Sequence, residues 1–199
     1  MIRHSGESIG FFSLPCLGEV ECGDDCYIRR EPDRIFLALI DGAGHGASAR
    51  QVADLARYTL GHLPPCAEVG HCLVQLHEHL RGTRGAAVAM VGLQLRDGVW
   101  EGSYVGVGDL TLCIFGERTR RLPVSDGIVG MAVHSKPVFP IEVNRGERLL
   151  MASDGVRSGF ESDLAMGQIP VQPLDLARKI VFEHQLEHDD SSCLVFLAS

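Results

Sequence analysis

The chain has 199 residues, 45% of them hydrophobic, and a formal net charge of −8. This length and composition favour one globular domain that covers residues 1–199. The excess of 26 acidic over 18 basic residues argues against nucleic-acid binding. No apolar stretch reaches the roughly 18 residues of a membrane span, and the N-terminus lacks a signal-peptide pattern. We therefore expect a cytoplasmic protein that binds no nucleic acid and no membrane.

Hydrophobic periodicity predicts nine strands and three helices. The strands are predicted at residues 9–14, 26–30, 35–40, 86–95, 99–107, 110–115, 138–143, 148–152 and 193–197. The helices are predicted at residues 47–63, 68–81 and 174–185, the last one after a helix-start signal at Pro173. Short turns such as residues 96–98 favour antiparallel neighbours. This order of elements is typical of an α+β fold with a large antiparallel content.

Two other features of the chain bear on a functional site. The segment 116–147 contains three prolines and four glycines, which predicts surface loops beside the site. Seven cysteines form no CxxC pair, which favours the reduced thiols of a cytosolic protein. A zinc site from Cys16, Cys22 and Cys26 is the alternative, although spacings of six and four residues are unusual for zinc ligands.

Aspartates stand at the edges of four apolar runs, each beside glycine or another acid. They are Asp24 and Asp25 in GDDC, Asp41 in LIDGAG, Asp154 in MASDGV, and Asp189 and Asp190 in HDDSSC. One aspartate at such a place is usually a turn residue or a helix cap. Strand ends can also gather at one edge of a sheet, where carboxylates about 4 Å apart repel by about 4 kcal/mol at an effective dielectric constant near 20.

A converging set of carboxylates would need protons or cations. Oxygen ligands without histidine or cysteine suit Mg²⁺ or Mn²⁺, and two such ions would balance four carboxylates. A dinuclear centre of this kind can lower the pKa of a bound water and stabilise an in-line displacement. Phosphate-ester hydrolysis is the reaction that most needs such help, because its uncatalysed rate is among the slowest known.

The order and spacing of five motifs resemble those of the metal-dependent protein phosphatases (PPM) of the 2C class. The motifs are GD at 23–24, DGAGHG at 41–46, GVGD at 106–109, SDG at 153–155 and DDSS at 189–192. The chain is similar to the compact bacterial serine phosphatases of the SpoIIE and RsbX type, and most similar to RsbX in having no sensor or coiled-coil segment in front. The resemblance implies a sandwich of two antiparallel β-sheets flanked by α-helices, an α-β-β-α arrangement.

The resemblance also implies a ligand set for two divalent cations, Mn²⁺ or Mg²⁺. Asp41 would bridge both ions, and the carbonyl of Gly42 would bind one of them. Asp154 and Asp189 would complete the first metal site. Asp24 would serve the second metal, directly or through water. The three residues expected to be catalytic are Asp41, Asp154 and Asp189.

Further residues have less defined roles in the resemblance. Asp190 is the alternative ligand in the DDSS motif, and Asp109 stands where some members hold a loosely bound third metal. His45 lies two positions after the place of the family's histidine, which is Ala43 here; it either takes part in proton transfer, caps the helix or lines the cleft. The phosphate-binding arginine of many eukaryotic members has no counterpart before Asp24, so metals and their waters would hold the phosphate.

These features predict a metal-dependent protein serine/threonine phosphatase that acts as a monomer. The resemblance implies phosphorylated STAS-domain proteins of the stressosome as substrates and partners, so that the enzyme would reset a bacterial stress response. Water would attack phosphorus directly, without a phospho-enzyme. Two alternatives remain open. One is a phosphatase of an anti-anti-sigma factor, like SpoIIE or RsbU, and the other is a catalytically inactive pseudophosphatase that serves as a binding module.

Overall fold

A computed structural model describes residues 2–4, 7–64, 68–133, 137–162 and 172–199. The strands are β1 (Ile2–His4), β2 (Ile9–Leu14), β3 (Asp24–Arg30), β4 (Arg34–Gly42), β5 (Ala86–Arg96), β6 (Val99–Val107), β7 (Leu110–Phe115), β8 (Arg120–Leu122), β9 (Gly127–Ile128), β10 (Ala132–Val133), β11 (Phe139–Val143), β12 (Arg148–Ser153) and β13 (Ser191–Leu197). The helices are α1 (Gly46–His62), α2 (Val69–His79) and α3 (Pro173–His184).

Every predicted strand and helix is present, with ends that differ by at most three residues from the prediction. The strands that the sequence did not predict are β1, β8, β9 and β10, which have only two or three residues. Runs this short contain too few alternations for a period of two to be recognised. The segment 116–147 is thus less irregular than predicted, because it contains three short strands, β8, β9 and β10, besides the predicted strand β11.

The strands form two antiparallel sheets and one short hairpin. The first sheet has the order β1-β2-β13-β12-β7-β8, and the second has the order β11-β6-β5-β4-β3. Strands β9 and β10 pair with each other. The predicted turn at residues 96–98 joins β5 to β6: Arg96 pairs with Val99, and Asp97 and Gly98 both have positive φ, at 49° and 84°. These angles suit the tight hairpin turns that match the twist of the strands.

Many strands are apolar on both faces, so each sheet packs against the other sheet on one face and against helices on the other. One core lies between the sheets and includes Leu39, Val91 and Phe196. Helices α1 and α2 cover the outer face of the five-stranded sheet, and α3 covers the outer face of the six-stranded sheet with residues such as Ile180. The predicted α-β-β-α sandwich is therefore confirmed. None of the helices in the described ranges is long and apolar enough to cross a membrane.

The ends of strands β3, β4 and β12 meet at one edge of this sandwich. Asp24 at the start of β3 is the register partner of Asp41 near the end of β4. Ser153 ends β12 in the other sheet, and its hydroxyl donates a hydrogen bond of 2.7 Å to Oδ2 of Asp24. This bond joins the two sheets directly behind the strand ends, so the predicted gathering of aspartates at one edge has a structural basis.

Gly42 allows α1 to pack closely against this edge. A Cβ atom on Gly42 would lie 2.4 Å from the carbonyl oxygen of Ala49 in α1. No side chain fits at that distance, so any larger residue would displace the helix from the sheet. The glycine after the aspartate therefore serves helix packing.

Candidate metal centre

An acidic cavity of about 480 Å³ opens at the edge where the strand ends meet. Its acidic lining residues are Asp41, Asp109, Asp126, Asp154 and Asp189. They come from both sheets and from the loops beside them. Except for Asp126, the sequence predicted all of them as candidate site residues. The structure thus brings together side chains that are up to 148 residues apart in the chain.

Asp24 lies behind the cavity and is fully buried, with 0% exposure. Its Oδ2 accepts the hydrogen bond from Ser153, whereas its Oδ1 has no hydrogen-bond partner. Burial raises the pKa of Asp24 to about 7, the hydrogen bonds from Ser153 and Ser192 oppose this rise, and the charges of Asp190 and Asp154 add to it. A buried carboxylate oxygen without a partner is unfavourable unless a cation or a proton satisfies it.

Asp41 and Asp154 also have raised pKa values. Burial is the main cause at Asp41, whose pKa lies well above its ordinary range, and the charges of Asp24, Asp154 and Asp189 raise it further. At Asp154 the pKa is raised first by burial and then by the charges of Asp189 and Asp109. The two carboxyl groups share a hydrogen bond that favours the proton on Asp41. The cluster therefore holds protons until a cation replaces them.

The donor set fits hard divalent cations. The acidic groups of the cavity offer oxygen atoms, which Mg²⁺ and Mn²⁺ prefer, and the partnerless Oδ1 of Asp24 stands at the back of the same cluster. Within the described residues, no three His, Cys, Asp or Glu side chains already form a closed cation site. Cation binding would therefore require the carboxylates to rotate inward and Asp41 to lose its proton.

The two acids of the DDSS motif have different surroundings. Asp189 is partly exposed and lines the cavity. Asp190 is buried, and its two oxygens accept hydrogen bonds from the backbone N–H groups of Cys16 and Gly23, at 2.8 and 2.7 Å. Both oxygens of Asp190 thus hold the chain that leads into β3. This difference favours Asp189 as the residue that faces a metal ion.

Substitution of these two acids by Asn should separate metal binding from stability. In Asp190→Asn the new NH₂ group would face a backbone N–H, which leaves buried donors without acceptors and lowers the free energy of unfolding by about 2–3 kcal/mol. In Asp189→Asn we expect no loss of stability without metal, because the charge that repels Asp41 and Asp154 is removed, but Mn²⁺ affinity weakened by at least about tenfold. Denaturant unfolding in EDTA and calorimetric Mn²⁺ titration measure the two effects. The reverse pattern would identify Asp190 as the ligand.

The structure also defines the positions of Asp109 and His45, whose roles the sequence left open. Asp109 lies at the cavity wall in the turn between β6 and β7. His45 stands at the N-cap position of α1, but its side chain makes no capping hydrogen bond. Its Nδ1 lies 2.9 Å from Oε1 of Glu19, and the ring is exposed and is not among the residues that line the cavity.

Sequence reasoning missed Asp126 and Ser153. Asp126 lines the cavity from the segment 116–147, which was predicted only as loops beside the site. The dipeptide Asp126–Gly127 repeats the Asp-Gly pattern of Asp41 and Asp154, and this repetition could have indicated it. Ser153 belongs to the SDG motif, but nothing in the sequence indicates its role, which depends on a hydrogen bond to Asp24 in the other sheet.

A larger cavity, of about 580 Å³, lies at the opposite end of the five-stranded sheet. Arginines and glutamates of both signs line it, among them Arg34, Arg96 and Glu101. None of the predicted site residues lies there. Size alone does not indicate a catalytic centre, and we assign the site to the smaller cavity because the unusual pKa values and the partnerless carboxylate oxygen lie there.

Comparisons with known proteins identify the fold and the family of the chain. The sequence model of the family described as Stage II sporulation protein E (SpoIIE) matches residues 31–191. No curated protein sequence matches the chain. A solved chain from work on the bacterial stressosome, described there as a modular system that has been adapted to control secondary messenger signaling, is 27% identical. Its TM-score is 0.80 over 94% of this chain and 97% of that one.

Two further solved structures share the fold at lower identity. RsbX in complex with magnesium is 17% identical, with a TM-score of 0.82 over the full length of both chains. The catalytic domain of the serine/threonine protein phosphatase PstP in complex with two manganese ions is 14% identical. Its TM-score is 0.67 over 94% of this chain and 96% of that one.

The fold and the acidic centre define a metal-dependent phosphoprotein phosphatase of the 2C class. Within that class, the chain belongs to the SpoIIE family of serine/threonine phosphatases.

Proposed function

We propose that this phosphatase removes phosphate from serine or threonine residues of STAS-domain proteins in a stressosome-type signalling system, and so resets a bacterial stress response. Membership of the SpoIIE family supports the phosphatase reaction. The 27% identity to a chain from work on the bacterial stressosome, at nearly full coverage of both chains, supports this choice of substrate. Phosphorylated STAS-domain proteins are accordingly the proposed partners.

The position of Asp41 is the observation that carries the proposed reaction. Asp41 is the register partner of Asp24 and shares a hydrogen bond with Asp154. It thus stands between the two other acids, and this position supports the proposal that Asp41 bridges two cations. In our proposal Asp154 and Asp189 hold one ion, Asp24 holds the other directly or through water, and the carbonyl of Gly42 adds a ligand.

Bound Mg²⁺ or Mn²⁺ would supply Lewis-acid chemistry, lowering the pKa of water and neutralising charge on the phosphoryl oxygens. The residues of the chain prepare the site for this. Ser153 fixes the carboxylate of Asp24 by its hydrogen bond, so that only Oδ1 is free to turn toward a cation. Asp190 fixes the backbone of Gly23 next to it. The proton that Asp41 holds in its hydrogen bond with Asp154 would have to leave before cations could bind.

Phosphate release from purified substrates tests the proposal. A serine-phosphorylated STAS protein of a stressosome, a phosphorylated anti-anti-sigma factor and an aryl phosphate are compared with Mn²⁺ and with EDTA. We expect Mn²⁺-dependent release from all three substrates, with the highest kcat/KM for the stressosome protein. If no substrate loses phosphate, the phosphatase reaction itself is refuted.

The match to the SpoIIE sequence model favours one second candidate, dephosphorylation of an anti-anti-sigma factor. The chemistry would be the same, and only the surface that recognises the substrate would differ. A higher kcat/KM for the anti-anti-sigma factor than for the stressosome protein would establish this alternative.

A further inference from the structure

An arginine on the turn that connects α2 with β5 contacts a residue that lines the acidic cavity. The guanidinium group of Arg84 lies against the backbone of Gly44, a cavity-lining residue. A Cβ atom on Gly44 would lie 2.5 Å from one terminal nitrogen of Arg84 and 3.3 Å from the other. Because Gly44 and Asp41 line the same cavity, this contact places the guanidinium next to the cavity wall.

The backbone that carries Arg84 is held on both sides. The carbonyl of Gly85 accepts a hydrogen bond of 2.9 Å from the N–H of Ala43, which continues the pairing of β4 with β5. The hydroxyl of Thr83 accepts the N–H of Gly85 at 3.0 Å and donates to the carbonyl of Leu80 at 2.7 Å. The turn thus fixes the point from which the arginine side chain extends toward the cavity.

Arg84 forms no ion pair with the described residues. Its side chain is exposed, and no carboxylate in the described ranges forms a salt bridge with it. By contrast, Arg81 in the same connection pairs with Glu78 at 3.4 Å. The ionisable side chains that line the cavity in the described part of the chain are all aspartates. The guanidinium of Arg84, next to the cavity-lining Gly44, therefore provides a positive charge and hydrogen-bond donors beside a cavity whose own ionisable side chains are acidic.

We propose that Arg84 binds the phosphoryl group of the substrate, with its planar fork on two phosphoryl oxygens. The proposal rests on the proposed function, because its ligand is a phosphomonoester dianion. Arginine suits this role, since its donors match the geometry of phosphate and its charge persists at every working pH. A residue of the α2–β5 turn thus provides the phosphate contact that the sequence lacks before Asp24.

Steady-state kinetics with a phosphoserine peptide and Mn²⁺ test this role. In Arg84→Ala we expect KM to rise by about 10- to 100-fold, the usual effect of losing a charge-assisted hydrogen bond, while kcat changes by less than about threefold. Arg84→Lys should recover part of the loss, since the ammonium group keeps the charge but not the fork. Arg81→Ala is the matched control, because it removes an exposed arginine from the same connection, and it should behave as wild type.

A binding measurement that needs no turnover accompanies the kinetics. Calorimetric titration with inorganic phosphate in the presence of Mg²⁺ should show the dissociation constant of phosphate rising by the same factor in Arg84→Ala. The affinity for Mg²⁺ and the melting temperature should stay at their wild-type values. A residue that merely supported the cavity would change these two quantities.

The outcomes separate this proposal from the proposed function. If wild type is active and Arg84→Ala matches Arg81→Ala in KM and in phosphate affinity, Arg84 has no role in phosphate binding. Loss of Mg²⁺ affinity or of melting temperature in Arg84→Ala also overturns the proposal in favour of a structural role. If wild type releases no phosphate, the proposed function fails, and the phosphate titration then decides the role of Arg84 by itself.

Discussion

Replacement of Asp41 by Asn is expected to lower phosphate release by on the order of 10³-fold. Asp41 lies between Asp24 and Asp154, so the neutral amide would weaken the binding of both proposed cations together. Metal ions stabilise the transition state of such reactions by several kcal/mol, and each 1.36 kcal/mol corresponds to a factor of ten in rate. Phosphate release with saturating Mn²⁺ measures the effect.

The same substitution should stabilise the metal-free protein. The pKa of Asp41 is raised by burial and by three neighbouring carboxylates, so the folded protein disfavours the ionised form that an unfolded aspartate adopts at neutral pH, and this opposes folding. Asn has a similar shape and no charge to ionise. We expect a melting temperature in EDTA that is higher by a few degrees, since about 1 kcal/mol shifts the melting temperature of a protein of this size by roughly 2–4 °C.

Asp97→Asn is the control for both measurements. Asp97 is an exposed turn residue at the far end of β5, and its φ of 49° suits Asn as well as Asp. It should change neither activity nor melting temperature. An Asp41→Asn variant as active as wild type would remove this carboxylate from the mechanism.

Without metal ions, the stability of the protein is expected to fall as the pH rises from about 4 to about 7. The pKa of Asp24 is about 7 in the folded protein, against 3.8 for an unperturbed aspartate. In this window the folded state binds a proton that the unfolded state has released, so its stabilising effect is present below pH 4 and is lost by about pH 7. A shift of about three pH units corresponds to at most about 4 kcal/mol.

Asp24→Asn should flatten this part of the pH profile, because the amide cannot titrate. Denaturant unfolding in EDTA between pH 4 and pH 8 measures the slope in both proteins. In wild type, added Mn²⁺ should stabilise more strongly as the pH rises, since the cation competes with protons for the same oxygens. Equal slopes in wild type and Asp24→Asn would show that Asp24 titrates normally in the folded protein.

The main elements of the fold could be predicted because their signals are local. Strands such as β4 and β6 have continuous or alternating apolar runs bounded by Gly or Asp, and α1 carries one apolar stripe. Such patterns need no knowledge of distant residues. The hairpin at Asp97 and Gly98 was predictable for the same reason. The short strands β8, β9 and β10 are stabilised by pairing and packing that no local pattern records.

The candidate site could be predicted only in outline. Four aspartates at strand ends indicated a cation centre, and the ordered motifs indicated its family. The distinction between Asp189 and Asp190 depends on the backbone N–H groups of Cys16 and Gly23, which lie more than 160 residues away in the chain. The sequence shows two adjacent acids and nothing of what each one contacts.

The sequence by itself determined the α+β class, the order of the elements, the aspartates at the strand ends and the resemblance to metal-dependent phosphatases. Only the tertiary structure decided which carboxylate oxygens lack a hydrogen-bond partner. It buries Asp24 with a partnerless Oδ1, gives both oxygens of Asp190 a hydrogen bond, sets Asp126 in the cavity wall and places Arg84 against Gly44. The physical reason is that residue types and spacing follow local backbone geometry, whereas desolvation and hydrogen-bond partners depend on the approach of distant segments.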